Sequence, residues 1–121
     1  MKSILLVEDD PLIVEIYTTK MREAGFQVEA VADGDAAYKT LKEKSFNLVV
    51  LDIVLPHVTG FEFLRKIRQD EELKDLEVLI LSNLGQKSDV DRAKRLGVSK
   101  YLIKANFTPS EVIEKIKKLL K

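Results

Sequence analysis

Asn47-Leu48-Val49-Val50-Leu51-Asp52-Ile53-Val54-Leu55-Pro56-His57-Val58-Thr59-Gly60-Phe61-Glu62-Phe63-Leu64 is the stretch on which the fold turns. Leu48 to Leu51 is an unbroken apolar run. A run that short, rich in Val and Leu, reads as a strand buried on both faces. It ends on a carboxylate, Asp52. Pro56 stops any strand, and Gly60 marks a loop before a new helical pattern. Thr59, with Glu62 three residues later, is the signature of a capping box. Asp52 is therefore expected at the C-terminal end of a central strand, where open parallel sheets carry their chemistry. Asp is also common there as a turn or cap residue, and alone it reads that way. Four other features, each at a strand end, change the reading.

Upstream, Ile4 to Val7 is a first apolar strand, ending in Glu8-Asp9-Asp10-Pro11. Asp10 can cap a helix that has Pro11 at its first position. Ile13, Ile16, Met21 and Ala24 share a helical face, and Gly25 stops it. Phe26 to Val31 is the second strand, and a helix marked by Ala36, Ala37 and Leu41 follows Asp33-Gly34. Downstream, a helix carries Phe63, Leu64 and Ile67. Val78 to Leu81 is the fourth strand, ending at Ser82, and Ser88 is the expected cap of a helix that Gly97 closes. Lys100 to Ile103 is the fifth strand, ending at Lys104, and Thr108-Pro109-Ser110-Glu111 starts a last helix on Val112, Ile113, Ile116, Leu119 and Leu120.

Five strands alternating with five helices imply a doubly wound α/β fold, flavodoxin-like, with a parallel sheet in the order 2-1-3-4-5. The 121 residues make one domain, 1–121, and 45% apolar residues suit a globular core. A formal net charge of +0 argues against direct nucleic-acid binding. There is no cysteine, hence no disulfide or thiol chemistry. With no signal-peptide layout or apolar run of membrane length, the chain is expected to be soluble and cytoplasmic, without a membrane partner.

In that strand order Glu8, Asp9, Asp52, Ser82 and Lys104 meet at one crevice. Two unit charges about 4 Å apart interact by roughly 4 kcal/mol at an effective dielectric of about 20. Three carboxylates so placed either take up protons or hold a cation. Oxygen ligands without cysteine point to Mg²⁺. Asp9 reads as a metal ligand and Asp10 as a helix cap. Glu8 is balanced between a solvated cap residue and a metal-site residue. Lys104 is a fixed counter-charge, able to hold a carboxylate or neutralise a phosphoryl oxygen. Ser82 supplies a hydroxyl for the same oxygen. Together these suit acceptance of a phosphoryl group on Asp52.

Ile4-Leu5-Leu6-Val7-Glu8-Asp9-Asp10, Leu51-Asp52-Ile53-Val54-Leu55-Pro56 with Gly60, Ser82, and Tyr101-Leu102-Ile103-Lys104 together resemble the response-regulator receiver domain of two-component signalling, over essentially the whole chain. The resemblance implies that Asp52 accepts the phosphoryl group from a phosphohistidine of a sensor histidine kinase or histidine phosphotransfer protein. It implies that Asp9, Asp52 and the Val54 carbonyl bind Mg²⁺, with Glu8 assisting through water. Ser82 and Lys104 would hold phosphoryl oxygens, and Tyr101 would be the switch aromatic. Such a chain is no enzyme in the ordinary sense: it catalyses only its own phosphoryl transfer and dephosphorylation. On phosphorylation Ser82 is expected to move and Tyr101 to turn inward. That would bias the face of the fourth helix, fifth strand and fifth helix, offered to an output protein or a second copy.

The sequence departs from the family in two places. Ala105 follows Lys104 where proline, joined by a cis peptide, is usual. A non-proline cis bond costs about 2.5–4 kcal/mol against about 0.5–1 for X-Pro, so this loop's geometry does not carry over. Asn83 stands where a small residue usually follows the hydroxyl residue, and can narrow or polarise the pocket mouth. His57, the only histidine, reads as a surface loop residue.

Three rivals remain. A flavin-binding module cradles phosphate at its first strand–helix turn with backbone N–H groups, and Glu8-Asp9-Asp10-Pro11 would repel it. A phosphatase of the haloacid-dehalogenase type keeps its nucleophile at the first strand with a second Asp two residues on, and position 54 here is Val. A receiver-like interaction domain that is not phosphorylated is opposed by the intact Asp52, Ser82 and Lys104 and kept open by the Lys104-Ala105 loop. The sequence shows no output domain after the last helix, which fits a stand-alone regulator or a domain of a longer chain.

Overall fold

The computed structural model describes residues 1–121. Its elements are β1 (Ser3–Val7), α1 (Pro11–Glu23), β2 (Gln27–Val31), α2 (Gly34–Glu43), β3 (Leu48–Leu51), α3 (Gly60–Arg68), β4 (Val78–Ser82), α4 (Lys87–Arg95), β5 (Lys100–Ile103) and α5 (Pro109–Leu119). A 3-10 turn, Lys104–Asn106, joins the last two. The strands form one parallel sheet, β2-β1-β3-β4-β5. This is the flavodoxin-like order expected from the sequence.

Side chains alternate across a strand, so a strand covered on both faces is apolar throughout. One face sets Leu5, Val7, Val49, Leu51, Val78 and Ile80 against Ala37, Leu41, Phe63, Leu64, Ile67 and Ala93 from α2, α3 and α4. The other sets Ile4, Leu6, Val50, Leu79, Leu81 and Leu102 against Tyr17, Met21, Val112, Ile113 and Ile116 from α1 and α5. Each Val, Leu, Ile, Phe or Met among them contributes about 1.5–3 kcal/mol on burial, and this two-sided core fixes where the strands end.

The helix starts follow the sequence signals with two differences. Asp10 Oδ1 accepts from the Leu12 N–H at 3.0 Å, and Asp33 Oδ1 from the Ala36 N–H at 2.8 Å. Thr108 and Glu111 form a reciprocal box, at 2.8 and 3.2 Å. At α3 only half a box forms. Thr59 Oγ1 accepts from the Glu62 N–H at 3.2 Å, but the Glu62 carboxylate takes the Thr59 hydroxyl rather than its N–H. The fourth helix starts at Lys87, with Gln86 as cap residue in place of the expected Ser88. Asp89 reaches back to the Gln86 N–H at 3.2 Å, which leaves Ser88 inside the first turn.

Arg68 ties the lower ends together. Its guanidinium donates to the carbonyls of Leu96, Lys74, Leu76 and Gly97, at 2.7, 2.9, 2.8 and 3.2 Å. Charge is unevenly distributed. Residues 1–85 hold ten basic and sixteen acidic residues; residues 86–121, which form α4, β5 and α5 along one edge, hold ten basic and four acidic. No helix is long and apolar enough to cross a membrane.

Candidate phosphoacceptor site

Sheet register brings the site together. Val7, Leu51, Ile80 and Tyr101 lie in one row across β1, β3, β4 and β5. Glu8 and Asp52 follow directly, still held by backbone bonds from the Glu8 N–H to the Val31 carbonyl and from the Asp52 N–H to the Val7 carbonyl, both 3.0 Å. Ser82 and Ile103 pair one row further on, and Lys104 comes next.

Lys104 Nζ donates to Glu8 Oε1 at 2.5 Å and to Asp52 Oδ2 at 2.7 Å. Glu8 Oε2 accepts from the Asp10 N–H at 3.1 Å, so both Glu8 oxygens are engaged and the side chain is buried. Asp52 Oδ1 accepts from the Val54 N–H at 3.0 Å. Asp9 is exposed beside them, and carboxylate oxygens of Glu8, Asp9 and Asp52 lie within 4.8 Å of one another. Burial pushes the Glu8 carboxyl up, against the pull of Lys104 and the Asp10 N–H. Burial acts to lower the Lys104 ammonium, but its bonds to Asp52 and Glu8 outweigh that and leave it above the ordinary lysine value.

A cavity of about 270 Å³ opens over these groups, lined by Glu8, Asp9, Asp10, Asp52, Val54, Asn83 and Lys104. Val54 is exposed at its rim. Three hard-oxygen donors that close fit a divalent cation such as Mg²⁺. Asp52 is both a member of that set and a carboxylate with a lysine at hand, so the arrangement can neutralise negative charge brought to it.

Ser82 is fully buried. Its hydroxyl oxygen accepts from the Leu84 N–H at 3.3 Å. Tyr101, half-buried among residues of the α2–α4 side, donates its hydroxyl to the Leu84 carbonyl. The ring thus sits against the β4–α4 loop. Burial, then the charges of Asp89 and Asp52, push its hydroxyl up to about 12. The chain has no cis peptide bond, so the Lys104–Ala105 bond is trans and leads into the 3-10 turn. His57 is exposed, at a φ of 66°. The sequence reading missed that the Ala105 N–H bonds to Asn83 Oδ1, at 3.1 Å. The signal was available: the two unusual residues each stand one position past a pocket residue.

A doubly wound sheet with clustered acids at the ends of β1 and β3 and a lysine after β5 defines a receiver-type α/β domain. Residues 4–117 match the family described as response regulator receiver domain, and the chain belongs to that family. The transcriptional regulatory protein GltR of Pseudomonas aeruginosa is 37% identical over 120 residues, 99% of this chain and 49% of GltR. The chain spans about half the length of the curated relatives it matches. The non-phosphorylated HemR receiver domain of Leptospira biflexa has a TM-score of 0.91 at 28% identity, over 100% of this chain and 95% of that one. The receiver domain of sensor histidine kinase PA1611 from Pseudomonas aeruginosa, solved with a magnesium ion coordinated in its active site cleft, has a TM-score of 0.87 at 26% identity. That match covers 98% of this chain and 97% of the other.

Proposed function

We propose that residues 1–121 form a single receiver domain that works as a phosphorylation-activated signalling switch, taking a phosphoryl group on Asp52 from the phosphohistidine of a sensor histidine kinase or histidine phosphotransfer protein. The observation that carries the reading is Lys104 held between Asp52 and Glu8 at 2.7 and 2.5 Å, beside the exposed Asp9. An Asp52 oxygen attacks phosphorus, the N–P bond breaks, and the histidine leaves with the electron pair. Water reverses the modification by attacking the same phosphorus and restoring the carboxylate. Asp9, Asp52 and the Val54 carbonyl would hold Mg²⁺, with Glu8 acting through water. Bound there, the ion would supply neutralisation of the negative charge that the phosphoryl group brings. Lys104 pairs with one phosphoryl oxygen, and Ser82 gives its hydroxyl to another.

The output follows from the loop that Ser82 and Tyr101 share. Ser82 leaves the Leu84 N–H for the phosphoryl oxygen, and the Tyr101–Leu84 contact settles the β4–α4 loop. The face of α4, β5 and α5 is then offered to an output protein or a second copy. This is a shift between two populated states. The family's cytoplasmic phosphorelay role is read onto this chain on the same basis, as a phosphoacceptor limited to its own phosphoryl transfer and dephosphorylation. Mass spectrometry after incubation with acetyl phosphate and Mg²⁺ tests it. One phosphoryl group is expected on the unaltered chain and none on Asp52→Asn. Equal labelling of the variant, or labelling indifferent to a chelator, would sink the assignment to Asp52 and its metal; no labelling of the unaltered chain would favour an interaction domain that is not phosphorylated.

A further inference from the structure

Asn83 and Ala105 follow Ser82 and Lys104 directly in the chain, and they are joined to each other. The Ala105 N–H donates to Asn83 Oδ1 at 3.1 Å. The β4–β5 backbone ladder stops at the pair Ser82–Ile103. The Asn83 bond is one rung more, made by a side chain beyond the point where backbone pairing ends. Its donor exists only because residue 105 is not proline, which has no N–H. The two departures from the family pattern are therefore the two halves of one contact.

The rung closes a short ring through Ser82, Asn83, Ala105, Lys104 and Ile103, whose strand side is the ladder pair Ser82–Ile103. Ser82 and Lys104 both belong to that ring, so the rung limits how far the hydroxyl and the ammonium can drift apart. The ion pairs to Glu8 and Asp52 hold the Lys104 ammonium at its tip; the rung acts on its backbone. Within the 3-10 turn, the Phe107 N–H reaches the Lys104 carbonyl at 3.4 Å, a long contact by hydrogen-bond standards. Asn83 also lines the cavity shared by Asp52 and Lys104. Asp9 and Asp52 follow β1 and β3, on the other side of that cavity, and have no bond to the rung.

We propose that Asn83 and Ala105 act as one positioning unit, a side-chain rung that holds the Ser82 hydroxyl and Lys104 ammonium in mutual register and so sets the grip on a phosphoryl group. The proposal rests on Asp52 being the acceptor. It places the unit at the anion end of the site alone, with no part in metal binding.

Beryllofluoride, a phosphoryl mimic, and Mg²⁺ separate the two ends. Asn83→Leu keeps the approximate shape and removes the acceptor. In this variant the Ala105 amide proton is expected to shift upfield and exchange faster by NMR. Beryllofluoride affinity at saturating Mg²⁺ should fall about fivefold, the worth of one ordinary hydrogen bond, while Mg²⁺ affinity stays unchanged. Ala105→Pro removes the donor from the other side. The double variant Asn83→Leu/Ala105→Pro should then bind beryllofluoride no more weakly than Ala105→Pro alone. Undiminished beryllofluoride binding by Asn83→Leu, equal losses of metal and beryllofluoride affinity, or additive losses in the double variant would each overturn the proposal. If the unaltered chain failed to bind beryllofluoride at all, the reading of Asp52 itself would fall, and the rung's role with it. That outcome is distinguishable, because the Ala105 amide would still respond to Asn83→Leu.

Discussion

Lys104 is the counter-charge for two side chains almost wholly out of water, with Glu8 3% and Asp52 8% exposed. Removing one member of a buried ion pair leaves the rest uncompensated, at a cost of about 3–5 kcal/mol. Lys104→Met is expected to lose stability of that order in metal-free buffer, measured by chemical denaturation. Added Mg²⁺ should stabilise the variant more than the native chain, since it meets a more negative site. A variant as stable as the native chain under chelator would mean that the ion pairs contribute nothing. Asp9, Asp52 and Lys104 were legible in the sequence because each closes or follows an apolar run. Glu8 was not, and stayed balanced between solvated cap and metal helper. Its partner is 96 positions away in the chain, and no local pattern reports a contact at that distance.

At the scale of the elements, α3 presses its first residue onto the end of β3. A Cβ at Gly60 would lie 2.6 Å from the Ile53 Cα and 2.7 Å from the Asp52 carbonyl oxygen, both backbone atoms. Gly60→Ala must push the loop carrying Asp52 and Val54 aside. A stability loss of about 2 kcal/mol is expected, with Mg²⁺ binding weakened in parallel; an unchanged denaturation midpoint would contradict the close approach. α2 is braced to the end of α3 through Asp70, which accepts from the Tyr38 hydroxyl at 2.6 Å and from Lys42 at 3.0 Å. The Tyr38 hydroxyl first, then Lys42 and the Glu72 N–H, bring the Asp70 carboxyl from 3.8 down to about 2. A carboxyl lowered in the folded state adds stability above its unfolded value, and that stability is lost as pH falls through the folded one. Tyr38→Phe removes the largest cause, so its acid unfolding, followed by circular dichroism, should begin at higher pH than in the native chain. Coincident acid profiles would show that Tyr38 does not hold the carboxylate. Strands read well from sequence because apolar runs of four or five residues leave few alternatives. The start of α4 did not, since Ser88 and Asp89 both carry cap-forming side chains, yet the cap position falls on Gln86 and Asp89 serves it from inside the helix. Arg68 gave no signal at all, because its four partners are backbone carbonyls.

For the molecule as a whole, strict alternation of strand and helix was enough to give the order 2-1-3-4-5, because right-handed crossovers leave few parallel arrangements. Composition was a poorer guide. A formal net charge of +0 argues against direct nucleic-acid binding but hides that the chain's acidic and basic residues are sorted by position along it. The sorting follows the sheet, with the basic excess on the β5 edge and the acidic excess across the remainder. Seen from beyond its own diameter, such a particle is a dipole rather than a neutral sphere. At pH 7 and low ionic strength it should be retained on both a cation and an anion exchanger, each resin selecting one end. Passage through both columns unretained would mean that counter-ions erase the sorting. Where retention holds, an approaching partner is turned before it touches, and salt, by shortening the reach of both poles together, slows that meeting.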